Sequence, residues 1–163
     1  MSSTEWATPQ DFFDTIDAEF HFTIDVCATP DNTKCERYYT LQHGALDRDW
    51  SQEIAWMNPP YDKDIYKWFR KAYKEAQKGA TIVMLIQCRS TETEAWHDYV
   101  MKANEIRFIK NRLHYKLNGI GSRANHGSVV VVFRPFCQGP PVTFGIDTKG
   151  ARLDKALVST AFP

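Results

Sequence analysis

The stretch Thr81-Ile82-Val83-Met84-Leu85-Ile86 constrains this chain more than any other, because it is apolar without interruption from Ile82 onward. A strand with one wet face alternates apolar and polar side chains. An unbroken apolar run suits a strand covered on both faces, the condition of strands in a parallel sheet. Just before it, Ile65, Trp68, Phe69, Ala72 and Ala76 recur at helical spacing, and Gly79 supplies a stop. Helix followed by buried strand is the rhythm of an α/β protein. The remaining pattern fits that rhythm. Thr8 is placed to cap a helix whose first residue is Pro9, with Asp11 in the first turn and Phe12, Phe13 and Ile16 along one face. Strands are expected over 22–26, 53–57 and 105–109, and Thr91 with Glu94 forms a capping box for a helix through Trp96, Tyr99 and Val100. Near the end, 112–116 and 128–133 read as two strands joined by a long loop containing Gly119, Gly121 and Gly127. The expected architecture is a mostly parallel sheet with helices on both faces and an antiparallel C-terminal strand pair. A length of 163 residues suits one compact domain, with its core over about 6–135 and no internal repeat.

Twenty basic and twenty acidic residues cancel to a formal charge of zero, so any polyanionic partner must be met by a local patch. No apolar run reaches membrane-spanning length, and Met1-Ser2-Ser3-Thr4-Glu5 lacks the basic start and apolar stretch of a secretory signal, which together point to the cytosol. Cys27, Cys35, Cys88 and Cys137 are irregularly spaced and contain no C-x-x-C pair, the pattern of reduced thiols rather than a disulfide framework or zinc ribbon. A metal site from Cys27, Cys35 and His43 is conceivable, but free thiols are the simpler reading, and no metal is expected.

The chemistry concentrates at Asn58-Pro59-Pro60-Tyr61, directly after the apolar strand that ends Trp56-Met57. Two prolines forbid further ladder pairing there, so the strand must end and the loop is stiff. In an open α/β sheet ligands bind beyond the carboxyl ends of the strands, where this loop falls. An amine conjugated to a planar ring is a poor nucleophile. The Asn58 amide oxygen and the Pro59 carbonyl can accept its two N–H groups and expose the nitrogen lone pair, while Tyr61 offers a flat face for an extruded base. The alternative is a stereotyped Asn-Pro-Pro turn with Tyr61 packing on the domain.

With Trp6-Ala7-Thr8-Pro9, Asp25-Val26-Cys27-Ala28, Asp49-Trp50, Trp56-Met57, Arg89-Ser90-Thr91-Glu92-Thr93, and Arg112 with Tyr115, the catalytic loop resembles the small bacteriophage- and prophage-type DNA N6-adenine methyltransferases, from Trp6 to Phe133. The resemblance implies a compact, shortened Rossmann-like methyltransferase fold without a separate target-recognition domain. It also implies S-adenosylmethionine as cofactor, double-stranded DNA as substrate in a bacterial host cell, and direct methyl transfer to the N6 of a flipped adenine, with Asn58, Pro59, Pro60 and Tyr61 catalytic. The cofactor pocket implied includes Trp6, Thr8, Pro9, Asp25, Cys27, Ala28 and Asp49. The chain departs from the broad fold in having Cys27-Ala28-Thr29-Pro30-Asp31 where a Gly-rich turn is usual, and in the short run between Asp25 and Asn58.

Several residues keep two readings. Thr8 is a helix cap or a cofactor contact. Asp25 ends a strand at the ligand edge, where it can accept from an ammonium. Asp49, with Asp47, binds an adenine or belongs to a solvated turn beside a core Trp50. Arg89 meets a phosphate or base, or forms a surface ion pair. Lys102, Arg107, Lys110, Arg112, Lys116 and Arg123 concentrate positive charge around the glycine-containing loop, which suits phosphate tracking but also a solvated strand face; Arg89, Lys110, Arg112, Lys116 and Arg123 are the DNA-contact candidates. The same Asn-Pro-Pro-Tyr loop would serve methylation of RNA adenine or protein glutamine, and an inactive cofactor-binding relative acting as an interaction protein is the rival from another class.

Overall fold

The computed structural model describes residues 6–117 and 120–154. Eight strands and three α-helices follow in the order α1 (Gln10–Phe20), β1 (Ile24–Asp25), β2 (Ile54–Met57), α2 (Ile65–Gln77), β3 (Thr81–Gln87), α3 (Glu94–Asp98), β4 (Glu105–Ile109), β5 (His114–Leu117), β6 (Ile120–Arg123), β7 (Ser128–Phe133) and β8 (Val142–Ile146). Six strands form one sheet in the order β1-β2-β3-β7-β4-β8, while β5 and β6 form a separate hairpin. Within the sheet β7 alone runs against its neighbours, β3 and β4, and the other pairings are parallel. The mixed α/β architecture is the one expected.

The continuous apolar run explains the layering. Ile82, Met84 and Ile86 face a core built with Trp68, Phe69, Ala72 and Ala76 of α2. Val83 and Leu85 point the opposite way, into a core with Phe12, Phe13, Ile16 and Phe20 of α1. Val129 and Val131 of β7 side with the first group, and Val130 and Val132 with the second. Each buried aliphatic or aromatic side chain contributes about 1.5–3 kcal/mol. The central strands are therefore the rigid frame on which the loops at either sheet edge are mounted.

Four local expectations are corrected. Helix α1 is flanked by Pro9 with no side-chain cap, so Thr8 is not a capping residue. The cap of α3 is Thr93, whose hydroxyl accepts from Trp96 N, rather than Thr91. The second strand of the C-terminal antiparallel pair lies inside the glycine-containing stretch. Tyr115 pairs with Ser122 and Lys116 with Gly121, while 128–133 enters the main sheet instead. Finally, β8 adds a strand beyond Phe133, parallel to β4.

The short run between Asp25 and Asn58 places one extended segment beside β1. Asp25 N donates to Arg37 O, Tyr39 N to Asp25 O and Ala28 N to Tyr39 O, at 3.0, 2.9 and 3.0 Å. Further on, the turn holding Asp49 and Trp50 is fastened to α2 through Glu75, only 1% exposed. Its carboxylate accepts from Trp50 N at 2.8 Å and pairs with Lys71 at 2.7 Å and Lys78 at 3.0 Å.

Candidate active site

The carboxyl ends of β1, β2, β3 and β4, together with the start of antiparallel β7, lie at one edge of the sheet, because Gln87 is level with Ser128 and Phe108 with Val129. Asn58 leaves β2 at this edge, with Pro59 and Pro60 buried beneath it. Asn58 Nδ2 donates to Thr8 Oγ1 at 3.0 Å. The side-chain oxygen takes no protein hydrogen bond among the described residues, and no buried polar atom there is left unpartnered, so that oxygen is open to the surroundings. Tyr61 is fixed by its hydroxyl, which donates to Arg89 O at 2.8 Å, and by the Arg89 guanidinium 5.5 Å from its ring centre.

Asn58, Pro59 and Tyr61 form one wall of a 280 Å³ cleft. Trp6 and Gln87 and Ser128 of the sheet edge line it too, and the β5–β6 hairpin closes it with Tyr115, Ser122 and Arg123, continued by Asn125. A planar base fits such a site: aromatic rings beside it, with amide, hydroxyl and guanidinium groups at its rim. On the other side of Asn58 a narrow recess is lined by Trp6, Thr8, Asp25, Cys27, Asn32, Lys34, Trp56 and Asn58. Asn58 and Trp6 thus belong to both hollows.

The recess is organised by Asp25, which is 2% exposed. Its two carboxylate oxygens accept from Cys27 N at 3.2 Å and Lys34 N at 3.0 Å, which folds the loop after β1 without glycine. Burial pushes the Asp25 carboxyl up to about 6, against the opposing pull of those two N–H groups and the Lys34 charge. Burial also draws the Lys34 ammonium down, opposed by Asp14 and Asp25. The Cys27 thiol is pushed far up, first by burial and then by Asp25 and Asp62, so it stays protonated and is no nucleophile. All four cysteines are free. Among the described residues no group of His, Cys, Asp and Glu assembles to hold a metal ion, and no helix is long and apolar enough to cross a membrane.

The structure therefore brings Trp6, Thr8, Asp25 and Cys27 to the recess, while Ala28 is buried behind it. Pro9 lines a further 550 Å³ hollow next to it, with Thr8, Lys34 and Lys116. Asp49 is not at this edge. It accepts from Ser51 N beside the turn before β2, where Ser51 O approaches Gly79 at the start of β3, so it sits at the amino end of the sheet. Sequence adjacency to β2 could not reveal which end of the strand it occupies. Arg107 leaves the basic group as well: it is 4% exposed, pairs with Glu19 and Glu105, and lies between the rings of Phe20 and Phe144. Lys102, just ahead of β4, lies over the Tyr73 ring. In contrast, Arg89, Lys110, Arg112, Lys116 and Arg123 are all exposed, and follow strands at the Asn58 edge or stand on the hairpin. The sequence does not single out Asn125 and Ser128 of the cleft or Lys34 of the recess, and it gives no role to Gln87 or to Tyr115, although Tyr115 is among the residues that carry the resemblance.

Comparison with known proteins identifies the family. The profile of the family described as DNA N-6-adenine-methyltransferase (Dam) matches residues 2–157. Over 159 aligned residues the chain is 23% identical to the DNA N-6-adenine-methyltransferase of Escherichia phage T1, covering 82% of this chain and 64% of the phage protein. The chain thus spans a little under two-thirds of that relative's length. Over 64 residues it is 39% identical to YfdM of Escherichia coli (strain K12), which carries the name of a methyltransferase, covering 35% of this chain and 70% of that protein. The family match over nearly the whole chain, and the Asn58 to Tyr61 loop opening on a base-sized cleft, lead to one conclusion: the chain belongs to the Dam family of DNA N-6-adenine-methyltransferases.

Proposed function

We propose that this protein methylates the exocyclic amine of adenine in double-stranded DNA, with S-adenosylmethionine as methyl donor. The observation that carries the reading is that Asn58 stands in the shared wall of the cleft and the recess, its side-chain oxygen unengaged by any of the described residues. Donor and acceptor of a transferred group must meet at one place, and this is the place the two hollows have in common.

By its donor set the recess, itself only about 10 Å³, suits the cofactor's amino-acid head together with the 550 Å³ hollow that shares Thr8 and Lys34 with it. The Asp25 carboxylate keeps lone pairs beyond its two backbone bonds for an ammonium, and Lys34 supplies a cation beside it. Trp6 and Cys27 complete the walls of the recess, and Thr8 is shared with the neighbouring hollow, which Pro9 lines. S-adenosylmethionine, when bound, supplies the activated methyl group. The protein's task is to hold the amine. Asn58 Oδ1 and the Pro59 carbonyl accept its two N–H groups and draw the nitrogen away from conjugation with the ring, and the stiff Pro59-Pro60 pair keeps both acceptors in place. Tyr61, anchored through Arg89, gives the flipped base a surface to stack on. The surface presented to the duplex backbone is formed by Arg89, Lys110, Arg112, Lys116 and Arg123.

A labelled-methyl competition between duplex DNA, RNA and protein substrates tests the reading. Label entering duplex DNA and resisting competition by the others is the expected result. Preferential labelling of RNA adenine or protein glutamine would replace the substrate, and no labelling at all would leave a cofactor-binding protein without transferase activity.

A further inference from the structure

We infer that Thr8 is a positioning residue for the Asn58 amide, its hydroxyl accepting the amide N–H when the side-chain oxygen of Asn58 stands toward the target amine. The inference rests on the reading of Asn58 as an acceptor for that amine. The terminal torsion of an asparagine is soft and nearly two-fold, so its oxygen and nitrogen exchange places at little intrinsic cost. Only one of the two orientations is productive. With the oxygen toward the cleft, the amide accepts from an incoming amine; reversed, it presents two N–H donors to two N–H donors. In that productive sense the amide N–H on the far side needs an acceptor. A hydroxyl there supplies one, and although it could also donate to a reversed amide, only the productive sense satisfies both ends of the amide once the amine is bound.

Thr8 supplies that hydroxyl, its Oγ1 accepting from Asn58 Nδ2 at 3.0 Å across 50 residues of sequence. The hydroxyl is on a rigid mount. Thr8 is 4% exposed, and the residue before it is clamped to the hairpin by reciprocal bonds, Ala7 N to Lys116 O at 2.8 Å and Lys116 N to Ala7 O at 3.2 Å. The residue after it, Pro9, enters α1 by accepting from Phe13 N at 3.1 Å. Since Thr8 makes no cap for α1, its hydroxyl is not needed to start that helix. Such a mount keeps the orienting group within the narrow tolerance that catalytic geometry demands.

The test compares Thr8→Val, which keeps the shape and removes the hydroxyl, with Thr8→Ser, which keeps the hydroxyl. Thr8→Val should lower kcat by roughly tenfold to a hundredfold. Its S-adenosylmethionine affinity, measured calorimetrically, should fall far less than kcat, because valine keeps the shape by which Thr8 lines the recess, and the variant should remain folded at the assay temperature. Thr8→Ser should recover most of the rate, and Thr8→Val combined with Asn58→Ala should be no slower than Asn58→Ala alone, since both remove one device. If Thr8→Val does not fold, Thr8→Ala is read by the same criteria. A hydroxyl-free variant with wild-type kcat overturns the assignment, as do losses that multiply with Asn58→Ala or a loss confined to cofactor affinity. An Asn58→Ala enzyme of full activity would instead overturn the acceptor reading beneath it, which a full-activity Thr8→Val enzyme leaves standing.

Discussion

The two edges of the sheet treat charge in opposite ways. At the amino end most of the cations described are paired with carboxylates, Lys71 and Lys78 with Glu75, Arg37 with Glu53, Arg134 with Glu105, and toward that end Arg107 with Glu19 and Glu105, while Arg48 and Lys102 lie over aromatic rings. At the carboxyl end Lys67 pairs with Asp64, but among the described residues Arg89, Lys110, Arg112, Lys116 and Arg123 enter no ion pair with a carboxylate. A chain of zero formal charge therefore still presents positive charge where the Asn58 to Tyr61 loop opens. Neutrality counts against a polyanionic partner only when the charges are evenly spread.

The contrast separates activity from stability, and substitutions can break it. The largest effect is expected from Asn58→Ala. Losing an acceptor for the reacting amine should cost about 3 kcal/mol in the transition state, roughly a hundredfold in rate, with cofactor affinity within a few-fold of wild type. Tyr61→Ala should act in the same direction, and single-turnover methylation of a duplex measures both.

At the opposite edge, Glu75→Ala should leave the folded enzyme's turnover intact and lower its stability by about 3 kcal/mol, as expected when one partner of a buried ionic cluster is removed. Denaturant titration reads it. Burial pushes the Glu75 carboxyl up, but Lys71, Trp50 N–H and Lys78 together hold it below its ordinary value. Its stabilisation is therefore present at neutral pH and lost as pH falls through that lowered pKa. A Glu75→Ala enzyme as stable as wild type would remove the distinction between the edges.

Replacing Lys110, Lys116 and Arg123 together by Gln should weaken binding to all duplexes alike. The slope of log affinity against log salt should shrink by about one unit for each phosphate that the variant no longer neutralises. Cofactor binding should not change. Fluorescence anisotropy across a salt series measures the slope, and an unchanged slope would leave Arg89 as the next cation to test.

The smallest effect concerns Asp25. Its folded-state pKa lies above the ordinary carboxylate value, at about 6. Its contribution to stability is thus fully present near pH 4 and below, and is lost as pH rises through about 6. The stability difference between wild type and Asp25→Asn should accordingly change by up to about 1.4 kcal/mol per pH unit in that window. Cofactor affinity should fall as the wild-type carboxylate is protonated below pH 6, and Asp25→Asn should flatten that dependence. A flat wild-type profile would assign Asp25 to loop folding alone.

What was legible in the sequence was what local chemistry decides. The run through Ile82 to Ile86 declares a doubly covered strand, the spacing from Ile65 to Ala76 a helix, and the Asn58 to Tyr61 loop its place after a strand. Pairing over distance was harder. The Thr8 hydroxyl looked like a cap because a threonine before a helix so often is one, while its partner Asn58 lies far along the chain. Arg107 looked like one more cation in a basic stretch until Glu19, from α1, arrived to pair with it. Thr91 and Thr93 offer the same hydroxyl two residues apart, and helix geometry chose Thr93. The strand Ile120–Arg123 was hidden by neighbouring glycines, whose low strand propensity the hairpin pairing overrode.

The most direct test of the central claim is sequencing of DNA from cells expressing this protein, by a method that reports N6-methyladenine, beside cells expressing Asn58→Ala. N6-methyladenine is predicted in the wild-type sample, with background levels in the variant. Wild-type DNA without N6-methyladenine, or equal methylation by the Asn58→Ala protein, would contradict the claim.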